Sequence, residues 1–142
     1  MRPIYESQTD IDNEIGVAKK ISDAWSCDVY KLPAMEVADF AIEKDGKYVG
    51  LMEIKCRNYS YDQLDRMGGL IISKRKIDDI FELANKDDVF VVIAVRLAGV
   101  VYAMSEKALS DFEVITAGRK DRGDRKDIEK CYLIPMSRFE VL

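Results

Sequence analysis

The sequence contains no histidine, only three cysteines and no long apolar run. Without histidine the chain cannot build a Ser-His-Asp triad or use a histidine general base, and nearly all zinc sites are excluded. Cys27, Cys56 and Cys131 include no C-x-x-C pair, so we expect them to be small apolar residues in a reducing compartment. No stretch approaches the roughly 18 apolar residues of a membrane span, and the N-terminus lacks an apolar signal core. We therefore expect a cytoplasmic protein with no membrane partner.

The composition that remains is that of an ordinary folded protein. A length of 142 residues with 48% hydrophobic residues is enough for one domain with its own core, and we expect residues 1–142 to form that domain. The net charge of −4 disfavours indiscriminate binding of polyanions, but cations are concentrated in two clusters, at 74–76 and 119–126. Because histidine is absent, any bound metal should be a hard, oxygen-liganded ion such as Mg²⁺ or Mn²⁺.

The most informative stretch is Val37–Arg57, VADFAIEKDGKYVGLMEIKCR, which predicts two short strands joined by a tight turn. Asp39 lies near the start of the first strand, and Glu53 and Lys55 lie near the end of the second. Side chains alternate between the two faces of a strand, so Glu53 and Lys55 share one face. Whether Asp39 joins them depends on the register of the hairpin.

The turn sequence is compatible with two registers. A two-residue Asp-Gly loop would place Ala38 opposite Glu53 and turn Asp39 to the other face. A three-residue Lys-Asp-Gly loop would pair Asp39 with Leu51 and leave it diagonal to Glu53 on the same face, roughly 5–8 Å away between Cβ atoms. We favour the three-residue loop, which brings the two acids close enough to share a cation.

Two carboxylates on one face of a mostly apolar sheet are unfavourable neighbours. Asp39 and Glu53 would raise each other's pKa and destabilise the fold unless a cation lay between them. A divalent metal removes this conflict. Lys55, two residues further on the same face, is then placed to orient an attacking water or to help deprotonate it.

Residue patterns on either side of the hairpin predict an α/β protein. Helices are predicted at about 9–25, 61–67 and 74–85, and further strands at 27–32, 89–95, 100–104, 131–134 and 139–142. Ser73 is expected to cap the third helix. Both faces of the hairpin are largely apolar, as in a sheet that is covered by helices on each side.

Three further groups of charges have two interpretations each. Glu14 lies at the edge of the apolar stripe of the first helix, where it is either a solvated boundary residue or a further acid of the metal site. Lys74, Arg75 and Lys76 lie in the first turn of the third helix, where cations cost roughly 0.3–1 kcal/mol each, so they are either merely solvated or bind an anion. The late loop is either a self-neutralising surface segment or an arm that contacts phosphates. Its cations are Arg119, Lys120, Arg122, Arg125 and Lys126.

The chain carries a D-x13-E-x-K pattern preceded by a helical glutamate, and this pattern resembles the PD-(D/E)xK nuclease superfamily. The matching residues are Glu14, Asp39, Glu53, Ile54 and Lys55. The resemblance implies a restriction-endonuclease-like αβββαβ core, with a central mixed sheet of about five strands flanked by helices. It also implies that Asp39, Glu53 and the backbone carbonyl of Ile54 bind Mg²⁺ or Mn²⁺, and that Lys55 assists the attacking water. Glu14 would supply a further acid, directly or through water.

The later part of the chain is similar to small nuclease-like proteins encoded by bacteriophages. The similarity lies in the segment with Tyr61 and residues 74–77, in the late loop, and in the IPMSRF ending. It implies a metal-dependent DNA endonuclease that acts in the host cytoplasm. Tyr61 and the two basic clusters are the residues that we expect to contact DNA.

Two alternatives to this function stay open at the level of the sequence. One is a four-way-junction resolvase of the same fold, which would work as a homodimer so that two sites cut two strands; the sequence has no feature diagnostic of a dimer. The other is a binding or assembly protein that retains the fold and binds DNA without cleaving it. Cleavage of DNA in the presence of Mn²⁺ distinguishes the endonuclease and the resolvase from the non-catalytic binding protein.

Overall fold

The structure is a computed structural model that describes residues 8–33, 36–118 and 128–142. Its helices are α1 (Gln8–Trp25), α2 (Tyr61–Arg66) and α3 (Lys74–Asp87), followed later by a single 3-10 turn at Met136–Arg138. Its strands are β1 (Asp28–Lys31), β2 (Phe40–Lys44), β3 (Lys47–Arg57), β4 (Leu70–Ser73), β5 (Phe90–Leu97), β6 (Val100–Glu106), β7 (Glu113–Gly118), β8 (Ile128–Ile134) and β9 (Glu140–Val141). None of the helices in these ranges is long and apolar enough to cross a bilayer.

The larger sheet of the described chain has six strands, in the order β1-β2-β3-β5-β6-β9. β3 and β5 run parallel and the other neighbours run antiparallel, so the sheet is mixed, as predicted. It has one strand more than the expected five or so because the end of the chain returns to pair with β6. The order α1-β1-β2-β3-α3-β5 gives the predicted αβββαβ core, with α2 and β4 inserted before α3.

Each face of this sheet is covered by a different helix. The core on the α1 side is formed by Val17, Ala18, Ile21, Phe40, Ile42, Met52 and Ile54, among others. The core on the α3 side includes Ile77, Ile80, Phe81, Ala84, Leu51, Ile93 and Val95. Because side chains alternate along β3, Ile54 points toward α1, whereas Glu53 and Lys55 point toward α3. The side chains of Glu53 and Lys55 therefore lie on the α3 side, and Ile54 can contribute only its backbone.

Local sequence signals identify the elements around the site. Ser73 caps α3 as predicted, with its hydroxyl accepting a hydrogen bond from the Lys76 backbone N–H at 3.4 Å. The apolar run predicted at 89–95 is the central strand β5, whose residues from Val91 to Val95 are buried. A capping box starts α2, in which the side chains of Ser60 and Gln63 each bind the other residue's backbone N–H.

A second sheet, with the order β4-β8-β7, was not predicted from the sequence. Only its middle strand, β8, overlaps a predicted strand. β4 is four residues long and pairs with residues more than 55 positions away in the chain. Leu70, for example, lies opposite Ile134. Such pairing leaves little local signal. Both residues are buried in the core on the α3 side, so this sheet extends the layer on that side of the larger sheet.

Both hairpin registers considered from the sequence are wrong. The turn has two residues, Asp45 and Gly46, both with positive φ, and Lys44 pairs with Lys47. These angles are typical of the turn type that matches the twist of a two-residue hairpin. A three-residue turn is therefore not needed to accommodate the glycine.

The hairpin contains one extra residue that interrupts the regular pairing, and this residue lies within β3 and not in the turn. Glu43 pairs with Tyr48 but Ile42 pairs with Gly50, so Val49 is an extra residue that forms a β-bulge. Beyond the bulge Phe40 lies opposite Met52, and continuing this register by one residue places Asp39 opposite Glu53. The predicted outcome, two acids on one face, is confirmed, although the mechanism that produces it is different.

Replacing Gly69 by alanine tests the close approach between the end of α2 and β8. Gly69 has a φ of +137°, and an added Cβ would lie 2.1 Å from the Ile134 carbonyl oxygen. We expect Gly69→Ala to lower the free energy of unfolding by about 2–4 kcal/mol, because the backbone of β8 must shift.

Gly16→Ala is the matched control for this variant. Gly16 is in α1 and has nothing within 4 Å of an added Cβ, so we expect no loss of stability or a gain of about 0.5–1 kcal/mol. Urea denaturation measures both changes. Equal stabilities of the two variants would contradict the predicted crowding at Gly69.

Candidate active site

Glu53 is the only buried charged residue in the part of the chain that the structure describes, with 1% of its surface exposed. Its Oε1 atom lies 3.0 Å from the Lys55 ammonium. Its Oε2 atom has no hydrogen-bond partner, and the Lys76 ammonium is 3.6 Å away from it. A buried carboxylate oxygen without a hydrogen bond is costly, because its lost hydration is not replaced.

The surroundings of Glu53 raise the pKa of its carboxyl group. Burial is the largest cause, and it is opposed by Lys55; Asp39 raises the pKa further, and Lys76 lowers it. The two lysines therefore do not fully replace the water that the carboxylate has lost. The site therefore favours binding of a further cation, or of a proton, by the Glu53 carboxylate.

Asp39 approaches Glu53 from the start of β2. Its Oδ2 atom accepts a hydrogen bond from the Ile54 backbone N–H at 3.2 Å. β2 begins only at Phe40, so the edge of β3 beyond Met52 has no strand partner on this side. The N–H and C=O groups of a strand residue point to the same edge, so the Ile54 carbonyl is directed to the gap beside Asp39.

Lys55 and Tyr61 lie on the same face of the sheet but are not adjacent. Lys55 is in register with Val95 on β5, and Val95 is in register with Tyr102 on β6. Tyr61 packs against Tyr102, with ring centroids 5.2 Å apart. Two strand spacings, about 10 Å, therefore separate Lys55 from the tyrosine pair. The side chain of Lys55 is 28% exposed, which makes it accessible from solvent.

The predicted basic cluster at the start of α3 is divided between three environments. Lys76 points to Glu53. Lys74 binds Asp78, with 2.6 Å between Nζ and Oδ2, and its ammonium lies over the ring of Tyr132. Arg75 is exposed. Consecutive residues of a helix point about 100° apart, so three adjacent cations cannot form one patch.

The structure brings Asp39, Glu53, Ile54 and Lys55 together but does not bring Glu14 into a three-acid cluster. Glu14 is on α1, which covers the opposite face of the sheet, and its carboxylate forms an ion pair with Lys31 at 3.3 Å. Across the described ranges, no three Cys, Asp or Glu side chains are close enough to form a metal site on their own. A metal at Glu53 would therefore need a donor in addition to the two carboxylates.

The second predicted basic cluster lies outside the described residues. It comprises Arg119, Lys120, Arg122, Arg125 and Lys126. β7 leads into this segment and β8 follows it. Its expected contact with phosphates stays a prediction.

Sequence reasoning did not identify Lys76 as a neighbour of Glu53. A signal was present, because Lys76 lies one residue before Ile77 and four before Ile80, both of which are buried. A lysine at the edge of an apolar helical stripe is expected to direct its ammonium along the buried boundary. That boundary runs over β3 in the folded chain.

The donors around Glu53 are chemically suited to a hard divalent cation. The two carboxylates and a backbone carbonyl are oxygen ligands of the kind that Mg²⁺ and Mn²⁺ prefer. The Oε2 atom of Glu53 also lacks a hydrogen bond. The residues present therefore fit such an ion.

Comparison with known proteins gives a family and a structural neighbour. Residues 1–142 match a family described as "Phage putative PDDEXK endonuclease". No curated protein matches the chain. The Holliday junction resolvase Hjc of the archaeal hyperthermophile Archaeoglobus fulgidus is similar over 61% of this chain and 72% of its own, with 12% sequence identity and a TM-score of 0.45.

The family match spans the whole chain and confirms the resemblance that the D-x13-E-x-K residues indicated. Those same residues surround the buried carboxylate of Glu53 in the fold. The chain belongs to the phage PDDEXK endonuclease family.

Proposed function

We propose that this protein is a metal-dependent DNA endonuclease that hydrolyses phosphodiester bonds. Membership of the PDDEXK endonuclease family supports the class of reaction. The observation that supports the site is the Glu53 carboxylate, which is buried beside Asp39 and Lys55 with one oxygen lacking a hydrogen bond. A purely structural ion pair would not be expected to leave that oxygen without a partner.

Mg²⁺ or Mn²⁺ would be held by the carboxylates of Asp39 and Glu53 and by the carbonyl of Ile54. When bound, such an ion acts as a Lewis acid toward the scissile phosphate and lowers the pKa of water toward neutrality. The protein contributes a fixed donor set. Asp39 is tied to the Ile54 backbone, and the pairing of β3 with β5, in which Glu53 lies opposite Ile93, fixes the position of Glu53.

Lys55 is the residue that we propose acts on the attacking water. Its ammonium is held 3.0 Å from Glu53 Oε1, which fixes its position, and its side chain is partly exposed, so it can meet a substrate. An ammonium in this position can orient the water and stabilise negative charge that develops on the phosphate. Glu14 is left out of the proposed donor set because it lies on the other side of the sheet.

DNA would be bound mainly through its phosphates. Arg75 is an exposed cation on the same helix as Lys76, and we propose that the cations at 119–126 also contact phosphates. Lys74 is a weaker candidate because its ammonium is already paired with Asp78. Tyr61 and Tyr102 form an aromatic wall on the face that carries Lys55. Such contacts give affinity that falls with salt and carry little sequence information.

Loss of any one of the three central side chains is expected to abolish cleavage. We expect Asp39→Asn, Glu53→Gln and Lys55→Met each to reduce the rate by about 100-fold or more, because each removes a ligand or the charge beside the water. The assay is Mn²⁺-dependent cleavage of duplex, nicked, forked and four-way DNA.

Glu82→Gln and Lys86→Met, on the exposed surface of α3, are the matched controls for these variants and should retain wild-type rates. Circular dichroism checks that all variants are folded. Cleavage by the three site variants at the wild-type rate would exclude the proposed site. Binding without cleavage by the wild-type protein on every DNA form would favour the non-catalytic alternative.

The thermal stability of Glu53→Gln tests the electrostatics of the site separately. Because the folded-state pKa of Glu53 is raised above its ordinary value of 4.5, the folded protein binds this proton more tightly than the unfolded chain does. The carboxyl therefore stabilises the fold most at low pH, and that contribution is lost as the pH rises from 4.5 through the folded-state pKa.

With a chelator at pH 8, we expect Glu53→Gln to melt about 2–4 °C above the wild-type protein, and the difference to shrink toward pH 4. Addition of Mn²⁺ should raise the melting temperature of the wild-type protein but not that of Glu53→Gln. Scanning calorimetry measures both effects, with Glu82→Gln as the control. A variant that is less stable than wild type in chelator at pH 8 would indicate a structural ion pair.

A further inference from the structure

The position of Lys76 is set by the cap of α3. Its backbone N–H binds the Ser73 hydroxyl, which fixes it in the first turn of the helix, and its side chain crosses from there to β3. The first turn of a helix is an unfavourable place for a cation. The attraction of Glu53 supplies a reason for an ammonium to be there.

The four charged groups of the site balance one another. Asp39 and Glu53 carry two negative charges when ionised, and Lys55 and Lys76 carry two positive charges. A divalent cation would bring two more positive charges into a region that is partly screened from water. We expect repulsion between these like charges to favour an arrangement in which one of the ammonium groups moves away.

The geometry indicates which lysine moves. Lys55 is hydrogen-bonded to Oε1 of Glu53 at 3.0 Å. Lys76 is 3.6 Å from Oε2, too far for a hydrogen bond, and Oε2 is the oxygen that is left free. The side chain of Lys76 is 22% exposed and is flexible, so its ammonium can swing into solvent.

We propose that Lys76 is an internal counter-ion, whose ammonium neutralises the free oxygen of Glu53 in the metal-free protein and is displaced when a divalent cation binds there. The proposal rests on the proposed function, because it concerns the same metal site. It makes Lys76 a positioning residue that competes with the metal. Displacement would move a cation to the rim of the site, where a DNA phosphate could accept it.

Calorimetric titration with Mn²⁺ in the absence of DNA tests this competition. At pH 8 we expect Lys76→Met to bind Mn²⁺ roughly three- to tenfold more tightly than the wild-type protein, because the competing charge is gone. Lys76→Arg keeps the charge and should not bind more tightly than wild type. Lys86→Met, near the C-terminal end of the same helix, removes the same net charge and should leave the affinity unchanged.

The Glu53→Gln variant separates failure of this proposal from failure of the metal site. In each titration, only the Mn²⁺ binding that the Glu53→Gln substitution abolishes counts as binding at the proposed metal site. If wild type and Lys76→Met both lack such binding, the proposed metal site is wrong and the counter-ion role with it. If wild type has it and Lys76→Met binds equally or more weakly, only the counter-ion role is wrong. Tighter binding by both Lys76→Met and Lys76→Arg would also overturn it, because the effect would not depend on charge.

Discussion

Burial of the Glu53 carboxylate, with Lys55 on one oxygen and no hydrogen bond on the other, is the interaction on which the site depends. The cost of this burial is set by the packing around it, because α3 lies against the face of β3 that carries Glu53 and excludes water from it. Apolar packing against α1 fixes the opposite face of the same strand. The fold thus provides the free energy that keeps an unfavourable charge in place.

The parts of this arrangement that depend on neighbouring residues could be predicted from the sequence. Ser73 before a run with helical spacing predicted α3, and the apolar run at 89–95 predicted β5. The second sheet could not be predicted, because β4 acquires its partner only when Ile134 returns to Leu70. Short strands that pair over such distances have no pattern of their own that differs from that of a loop.

The shared face of Asp39 and Glu53 was predicted correctly, whereas the register that produces it was not. The favoured three-residue loop predicted that Asp39 and Glu53 share a face, but no local signal showed whether the extra residue of the hairpin lay in the turn or in β3. The sequence also shows how many charged residues a segment contains, but not where each side chain points. Lys74, Arg75 and Lys76 are adjacent in the chain, yet only Lys76 contacts the buried acid, because helical geometry separates them.

The bulge at Val49 has a consequence for how this hairpin can vary in length. Thirteen residues separate Asp39 from Glu53, and an odd number is needed for two directly opposed residues when one residue of the hairpin is unpaired. Insertion or deletion of one residue would rotate one acid into the apolar layer under α1, whereas a change of two residues would leave both facing the same way. In related sequences, insertions and deletions between the two acids should therefore involve even numbers of residues. The extra residue can lie in the strand or in the turn without changing the face of either acid.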